Sequence, residues 1–309
     1  MLDKIIDSCN FVMNNAKYVT INYNNLNEFI KTIDCKEIKH WLKDNPYNLL
    51  DFNVETIINL LLVFECICYS FWGEPKWKVK TREGFKNGSD ALLYIMVNYV
   101  KTTNNTDFSN VKYSEFKKIL KGNVEIPLLK ERYNTITTIS RIVNKKMNGS
   151  FYNYIKDTVS DRDLFNIIVN NFKTFKDERT YCSRTIYFYK LAQLLTSDIL
   201  HIRENLENIK VDYSNLIGCS DYRVPQTLRA LGITEYNNEL ANIVDSKKQI
   251  EISSKYEVEI RASQLVTINY IKHKLKSIYS IDINDYLFMY SKKVRSIAKP
   301  YHLCRNSNY

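Results

Sequence analysis

The sequence predicts an all-α fold with room for one short strand pair. Three observations carry this expectation. Only 7 glycines and 5 prolines occur in 309 residues, so few tight turns can be built and long helices with short connections are favoured. Apolar residues recur at helical spacing through most of the chain. No internal repeat or low-complexity linker interrupts it. Hydrophobic residues make up 45% and charged residues 25%, ordinary values for a soluble globular protein. The length suffices for one large domain or two modest ones. We read a single domain over residues 1–309, with 1–50 as a peripheral helical segment.

The elements follow in order. Val54–Tyr69 is apolar nearly all round, which predicts a central buried helix. The run Ile57–Trp72 holds Asn59 and Glu65 and is shorter than about 20 apolar residues, so a buried helix fits better than a membrane span. Trp77–Thr81 reads as a short strand after the Gly73–Pro75 turn. Asp90–Val100 and the short amphipathic Tyr113–Leu120 are helices. Pro127 opens a long helix to Met147, since proline suits a first helical turn. Leu164–Phe172 is another helix. Arg184–Leu206 is long and periodic, with Tyr187, Leu191, Leu194 and Leu195 on one face, and Lys190 and Asp198 beside it. Leu216–Arg223 is a tight connection with Gly218 available for positive φ. A short helix follows, capped by Val224, opened by Pro225 and stopped by Gly232. Glu235–Val244, Glu257–Ile278 and Asn284–Ile297 complete the set.

Composition and motifs exclude much chemistry. Seven irregularly spaced cysteines contain no C-x-x-C, and the four histidines form no H-E-x-x-H; structural zinc is disfavoured, and reduced thiols in a cytoplasmic protein are expected. The N-terminus has no continuous apolar stretch of the signal-peptide kind. Dinucleotide, P-loop and nucleophile-elbow signatures are absent. No metal or other cofactor is called for. The net charge is +10, and residues 247–309 carry 12 Lys/Arg against 5 Asp/Glu. That suits a phosphate-bearing partner, although the basic residues are dispersed as on a solvated face.

One carboxylate remains of interest. Asp221 sits in a structured turn just before a helix N-terminus, where the helix dipole favours an anion. From the residues alone it is a helix cap or a local ion-pair partner first and a catalytic group second.

Several segments together resemble the queuosine salvage protein family, the queuosine 5′-phosphate N-glycosylases. They are Tyr69–Trp72 with Glu74, Pro127–Tyr133, Gly149–Phe151, Phe188–Gln193 with Asp198, Asp221-Tyr222-Arg223-Val224-Pro225-Gln226 with Leu231-Gly232, Glu257–Ala262, and Tyr309. The D-Y-R-V-P-Q and E-V-E-I-R motifs at this spacing are the specific part. The resemblance implies a helix–hairpin–helix DNA-glycosylase-like helical architecture. It also implies hydrolysis of queuosine 5′-phosphate to queuine and ribose 5-phosphate, with Asp221 as the catalytic carboxylate. A nucleotide is then the partner, with neither a membrane nor a stable nucleic-acid complex.

Such a substrate would need cations for its 5′-phosphate, for which Lys190 and Arg223 are the candidates. Phe71, Trp72 and Tyr290 could stack on the base or simply pack the core. Cys219, two residues before Asp221, is placed in the pocket by the turn. Arg261 with Glu257 and Glu259 is either a supporting network or a structural salt bridge. Two departures stand out. Family members carry Leu-Trp-Asp-Tyr where this chain has Leu287-Phe288-Met289-Tyr290, and Met289 cannot accept the base's hydrogen bonds; Asp285 or Asn284 is the available substitute. A family histidine ahead of an Asn-Pro pair is replaced by Leu42, with His40 nearby. Competing readings are a base-excision glycosylase acting on polynucleotide and a non-catalytic nucleotide-binding protein.

Overall fold

The structure, a computed structural model, describes residues 2–309. The described residues form thirteen α-helices and three two-stranded antiparallel sheets. The chain divides into two compact units. Unit 1 takes residues up to 43, 177–197 and 212–305; unit 2 takes 44–176, 198–211 and 306–309.

Unit 1 opens with α1 (Asp3–Asn14), β1 (Val19–Ile21) and α2 (Tyr23–Lys31). Asn22 caps α2 by accepting the N–H of Asn25, the usual role of a short polar side chain at that place. In unit 2, Asn53 does the same for α3 (Val54–Glu65). This helix is buried on nearly every face, as its sequence predicts, and packs on α4 (Gly88–Thr103), α6 (Leu129–Lys146) and α7 (Phe151–Ile155). No helix among the described residues is long and apolar enough to cross a membrane. The expected strand near Trp77 is β2 (Lys78–Thr81), paired with β3 (Gly84–Asn87). The α5 helix (Tyr113–Ile119) and α8 (Asp161–Asn171) fall where expected. Pro127 lies ahead of α6 rather than inside it, because Leu128 adopts a left-handed conformation at φ 56°.

Two further strand pairs were not anticipated. β4 (Glu178–Tyr181) and β5 (Arg184–Tyr187) form a hairpin closed by Cys182 and Ser183, at φ 47° and 61°. Positive φ at both central residues matches the twist of the flanking strands, but glycine or asparagine usually supplies it. The long helix read from Arg184 therefore begins only at Lys190, as α9 (Lys190–Glu207), and Tyr187 belongs to a strand. Tyr189, at φ 51°, marks the break. The other pair joins β1 to β6 (Thr234–Tyr236) across most of the sequence.

α10 (Arg223–Ala230) starts two residues earlier than expected, with Tyr222 rather than Val224 at its cap position. Leu231 and then Gly232, at φ +64°, end it as expected. After it come α11 (Asn238–Asp245), α12 (Lys255–Lys274) and α13 (Ser280–Tyr290). α13 stops short of the expected Ile297 and gives way to turns.

α12 is the central helix of unit 1, touching α1, α2, α10, α13, β1 and β4. Leu26, Phe29, Val224, Leu228, Ile268, Ile271, Ile283 and Leu287 close one core around it. Several of its polar residues are buried as well, among them Glu257, Glu259, Arg261 and Gln264. Glu259, with no exposure, accepts three successive backbone N–H groups on one oxygen: Lys17 (3.1 Å), Tyr18 (2.7 Å) and Val19 (3.1 Å). Its other oxygen accepts the Tyr181 hydroxyl at 2.8 Å. A buried carboxylate is tolerated because its lone pairs are filled.

Candidate active site

Residues 208–222 link α9 to α10 without regular structure. Residues 217–220 are gripped in turn by buried side chains from other elements. Gln193, on α9, accepts the N–H of Ile217 at 2.8 Å and of Gly218 at 3.1 Å. Its amide nitrogen donates to the carbonyls of Phe188 and Gly218, each at 2.8 Å. That exhausts the amide's hydrogen-bonding capacity. Asn284 Oδ1 accepts the Cys219 N–H at 3.0 Å, and Gln264 Nε2 donates to the Cys219 carbonyl at 3.0 Å. Arg261 Nε and Nη2 donate to the Ser220 carbonyl at 3.2 and 3.1 Å, while Ser220 Oγ donates back to the Arg261 carbonyl at 3.0 Å. Gly218 is required by the path. Its φ is +144°, and a Cβ there would lie 3.1 Å from Ile268 Cδ1.

Asp221 follows this clamped segment. Its Oδ1 accepts the N–H of Arg223 at 2.7 Å and of Val224 at 3.3 Å. The next residue, Pro225, has no N–H to satisfy. One oxygen of Asp221 thus closes the start of α10, and no donor among the described residues reaches Oδ2. The side chain is half-buried. The cap expected from the residues is present, and it uses half the carboxylate.

Behind this loop lies a neutral cluster of two carboxylates and two guanidiniums. Arg261 Nη1 donates to Asp177 (3.0 Å) and Glu257 (3.3 Å). Arg179 pairs with Glu257 (3.0 Å) and Asp177 (3.1 Å). All four are buried. Desolvation by itself would raise the Asp177 carboxyl, but Arg261 and Arg179 outweigh it and hold it below its ordinary value. His302, buried near Arg261, is lowered too, which for a base favours the neutral form. Burial and the guanidinium charge lower it to about 3, so its ring is neutral at ordinary pH.

The sequence-derived candidates sort as follows. Lys190 is the first residue of α9, buried, with its backbone N–H on Asp177 Oδ2 at 3.3 Å. Lys190, Asp177, Arg261, Ser220 and Asp221 therefore form one hydrogen-bonded and covalent chain. Arg223 makes no ion pair with Asp221 among the described residues. Its guanidinium lies over the Tyr301 ring (5.0 Å) and 3.3 Å from Gln226 Oε1. Tyr301 and Tyr222 form a ring pair 4.8 Å apart. Cys219 is buried in the loop, and Asp285 is joined to it through Asn284, whose Nδ2 donates to Asp285 Oδ1 at 3.3 Å. Met289 is 38% exposed on α13, and Tyr290 packs edge-on against Phe29 at 5.4 Å. Leu42 is buried, and His40 stacks on Trp41.

Phe71 and Trp72 belong to unit 2. Arg132 lies over the rings of Phe71 (4.7 Å) and Tyr69 (4.5 Å), and Phe71 stacks parallel to Trp77. Arg132 also donates to the carbonyls of Ile67 and Tyr69. Ser70, at φ 43°, donates its N–H to the Tyr309 carbonyl at 2.9 Å. Buried arginines thus grip main-chain carbonyls in both units. Among the described residues no three His, Cys, Asp or Glu side chains gather as a metal site requires.

Sequence reasoning missed Asp177, Arg179, Gln264 and His302. Gln193 was noticed only as part of a motif. Each acts on residues at least 24 positions away or through burial, which no local pattern signals.

Comparisons with known proteins place the chain in a family. A family model described as "Queuosine salvage protein" matches residues 49–309. Relatives named queuosine 5′-phosphate N-glycosylase/hydrolase include one from Sphaerobacter thermophilus, 27% identical over 82% of each chain. Another, from Bos taurus, is 28% identical over 81% of each. One from Mus musculus is 24% identical over 96% of this chain and 90% of its own. The chain belongs to the queuosine salvage protein family.

Proposed function

We propose that this chain hydrolyses the N-glycosidic bond of queuosine 5′-phosphate, releasing queuine and ribose 5-phosphate. Family membership over residues 49–309 supports the reading. The observation in the fold that carries it is a carboxylate, Asp221, held on a clamped loop with one oxygen on a helix N-terminus and the other without a donor among the described residues.

The chemistry needs such a group. Cleavage of an N-glycoside builds positive charge on the ribose in an oxocarbenium-like state. A fixed carboxylate stabilises that charge and can orient or deprotonate the attacking water. The leaving base is a 7-deazaguanine without an N7 to protonate, so ribose-side stabilisation carries more of the barrier. In this reading Lys190 and Arg223 neutralise the 5′-phosphate. Cys219 and Asp285 face the base, whose edge meets Met289, where the family resemblance implies an acid. All seven cysteines are free thiols, which suits a cytoplasmic setting.

The test is product release. Queuosine 5′-phosphate, queuosine and a queuosine-containing tRNA are each incubated with the protein, and free queuine is followed by chromatography. Release from the monophosphate alone is expected. Release from intact tRNA would assign a polynucleotide glycosylase instead, and binding without release a non-catalytic protein. In Asp221→Asn, turnover should fall by about 10³-fold with ligand binding retained. Asparagine caps a helix about as well as aspartate, so the melting temperature should hold. Near-normal turnover in this variant would remove Asp221 from the mechanism.

A further inference from the structure

We infer that Arg261 is the positioning residue for Asp221, fixing where its carboxylate stands through the Ser220 carbonyl; this rests on the proposed role of Asp221. A carboxylate's position is set by its Cα and by its side-chain torsions. The torsions are held at the far end, where Oδ1 accepts the two N–H groups of α10. The Cα is held at the near end by the peptide joining Ser220 to Asp221. That peptide is planar, so pinning its oxygen pins the plane from which Asp221 projects. Arg261 pins it with two donors, at 3.2 and 3.1 Å, from a side chain with no exposure. Ser220 Oγ locks the same junction from the other side.

Charge balance alone does not explain this arginine. Arg179 also touches both Asp177 and Glu257, so a second cation of any shape would neutralise the cluster. What a lysine could not do is bind the acids along one edge and the Ser220 carbonyl along the other. Only a planar fork does both. The acids in turn hold the guanidinium from behind, with Nη1 on Asp177 and Glu257. Asp177 also takes the first backbone N–H of α9, the helix that carries Lys190 and Gln193. The cluster therefore references the loop carrying Asp221 to the start of α9 and to α12.

Two matched substitutions test this in the full chain. Arg261→Lys and Arg179→Lys each keep the charge of the same buried cluster, but only the first withdraws donors from Ser220. Displacement of a catalytic group by about 1 Å costs about 100-fold in rate. Arg261→Lys is therefore expected to lower kcat by about 100-fold with KM little changed, and Arg179→Lys by far less. Equal losses in the two variants would reduce Arg261 to a structural ion pair and overturn the inference. A second readout needs no turnover. In protein labelled with ¹³C at aspartate carboxyls, the Asp221 resonance is identified by its loss in Asp221→Asn. It should shift in Arg261→Lys and stay in Arg179→Lys. If the native protein releases no queuine, the proposed function fails, while this resonance still decides the role of Arg261. Should Arg261→Lys not fold, Ser220→Ala loosens the same junction and is read by the same signal; an unmoved resonance there overturns the inference.

Discussion

Replacing Gln193 by leucine should damage the candidate site without touching it. Leucine has nearly the volume of glutamine and suits a helix, so the change removes four hydrogen bonds and little else. The N–H groups of Ile217 and Gly218 lose their partner, and the carbonyls of Phe188 and Gly218 lose one donor each. Gln193 has no exposure, so water does not readily replace it. An orphaned buried donor costs about 2 kcal/mol, and carbonyls with a second lone pair cost less. The sum is about 4 kcal/mol, a large part of the roughly 5–15 kcal/mol by which proteins are stable. Unfolding entropy near 2.1 cal/mol/K per residue turns this into a melting-point drop of about 6 °C for the whole chain, and about twice that if unit 1 melts alone. Thermal unfolding followed by circular dichroism measures the drop. Hydrogen exchange locates it, since the amides of Ile217 and Gly218 should lose protection while those of α12 keep it. A melting point within about 1 °C of the native protein, with both amides still protected, would refute the clamp.

Other outcomes follow from the same geometry. Gly218→Ala should destabilise by about 1–3 kcal/mol, because φ +144° suits only glycine and the added methyl presses on Ile268; denaturant titration measures it. His302 sets an acid-side slope. Its folded value near 3 lies below the ordinary 6.5, so the unfolded chain binds the proton first. Stability is complete above about pH 6.5 and is lost as pH falls toward 3, by up to about 1.4 kcal/mol per pH unit. Asp177 adds its own loss only below its ordinary 3.8, so between pH 6 and 4 His302→Phe should flatten the slope, which denaturant midpoints across that range will show. Lys190→Ala should raise KM for the monophosphate by about tenfold or more while leaving that for the nucleoside nearly unchanged, as steady-state kinetics on the two substrates would reveal.

How much of this was legible in the sequence varied with distance along the chain. Helical class followed from the scarcity of glycine and proline. The stop at Gly232 and the helix after Asp221 were visible because caps and stops act within a few residues. The hairpin at Cys182 and Ser183 was hidden, because its two left-handed residues are not the usual asparagine and glycine. A helix-like spacing of Tyr187 and Leu191 then drew the reading across a strand. The Glu257–Arg261 bridge, four residues apart on one helix, was readable. Asp177, 84 positions from Arg261, was not. The same applies to Gln193, which looks in sequence like any polar helix residue and proves to be fully buried. Its burial comes from the fold, and burial is what gives its amide something to do.

Glu259 bears on where this protein can be cut. The match to the family model begins at residue 49, which invites the view that everything before it is an appendage. Yet the three N–H groups that fill one oxygen of Glu259 come from Lys17, Tyr18 and Val19. A fragment beginning at the similarity border would keep the carboxylate and discard most of what answers it, leaving Tyr181 as the remaining partner. Two residues further along α12 stands Arg261, whose guanidinium holds the Ser220 carbonyl. The border of the family-model match and the border of the packing around α12 therefore fall at different residues, and residues up to 43 share one compact unit with the loop that carries Asp221.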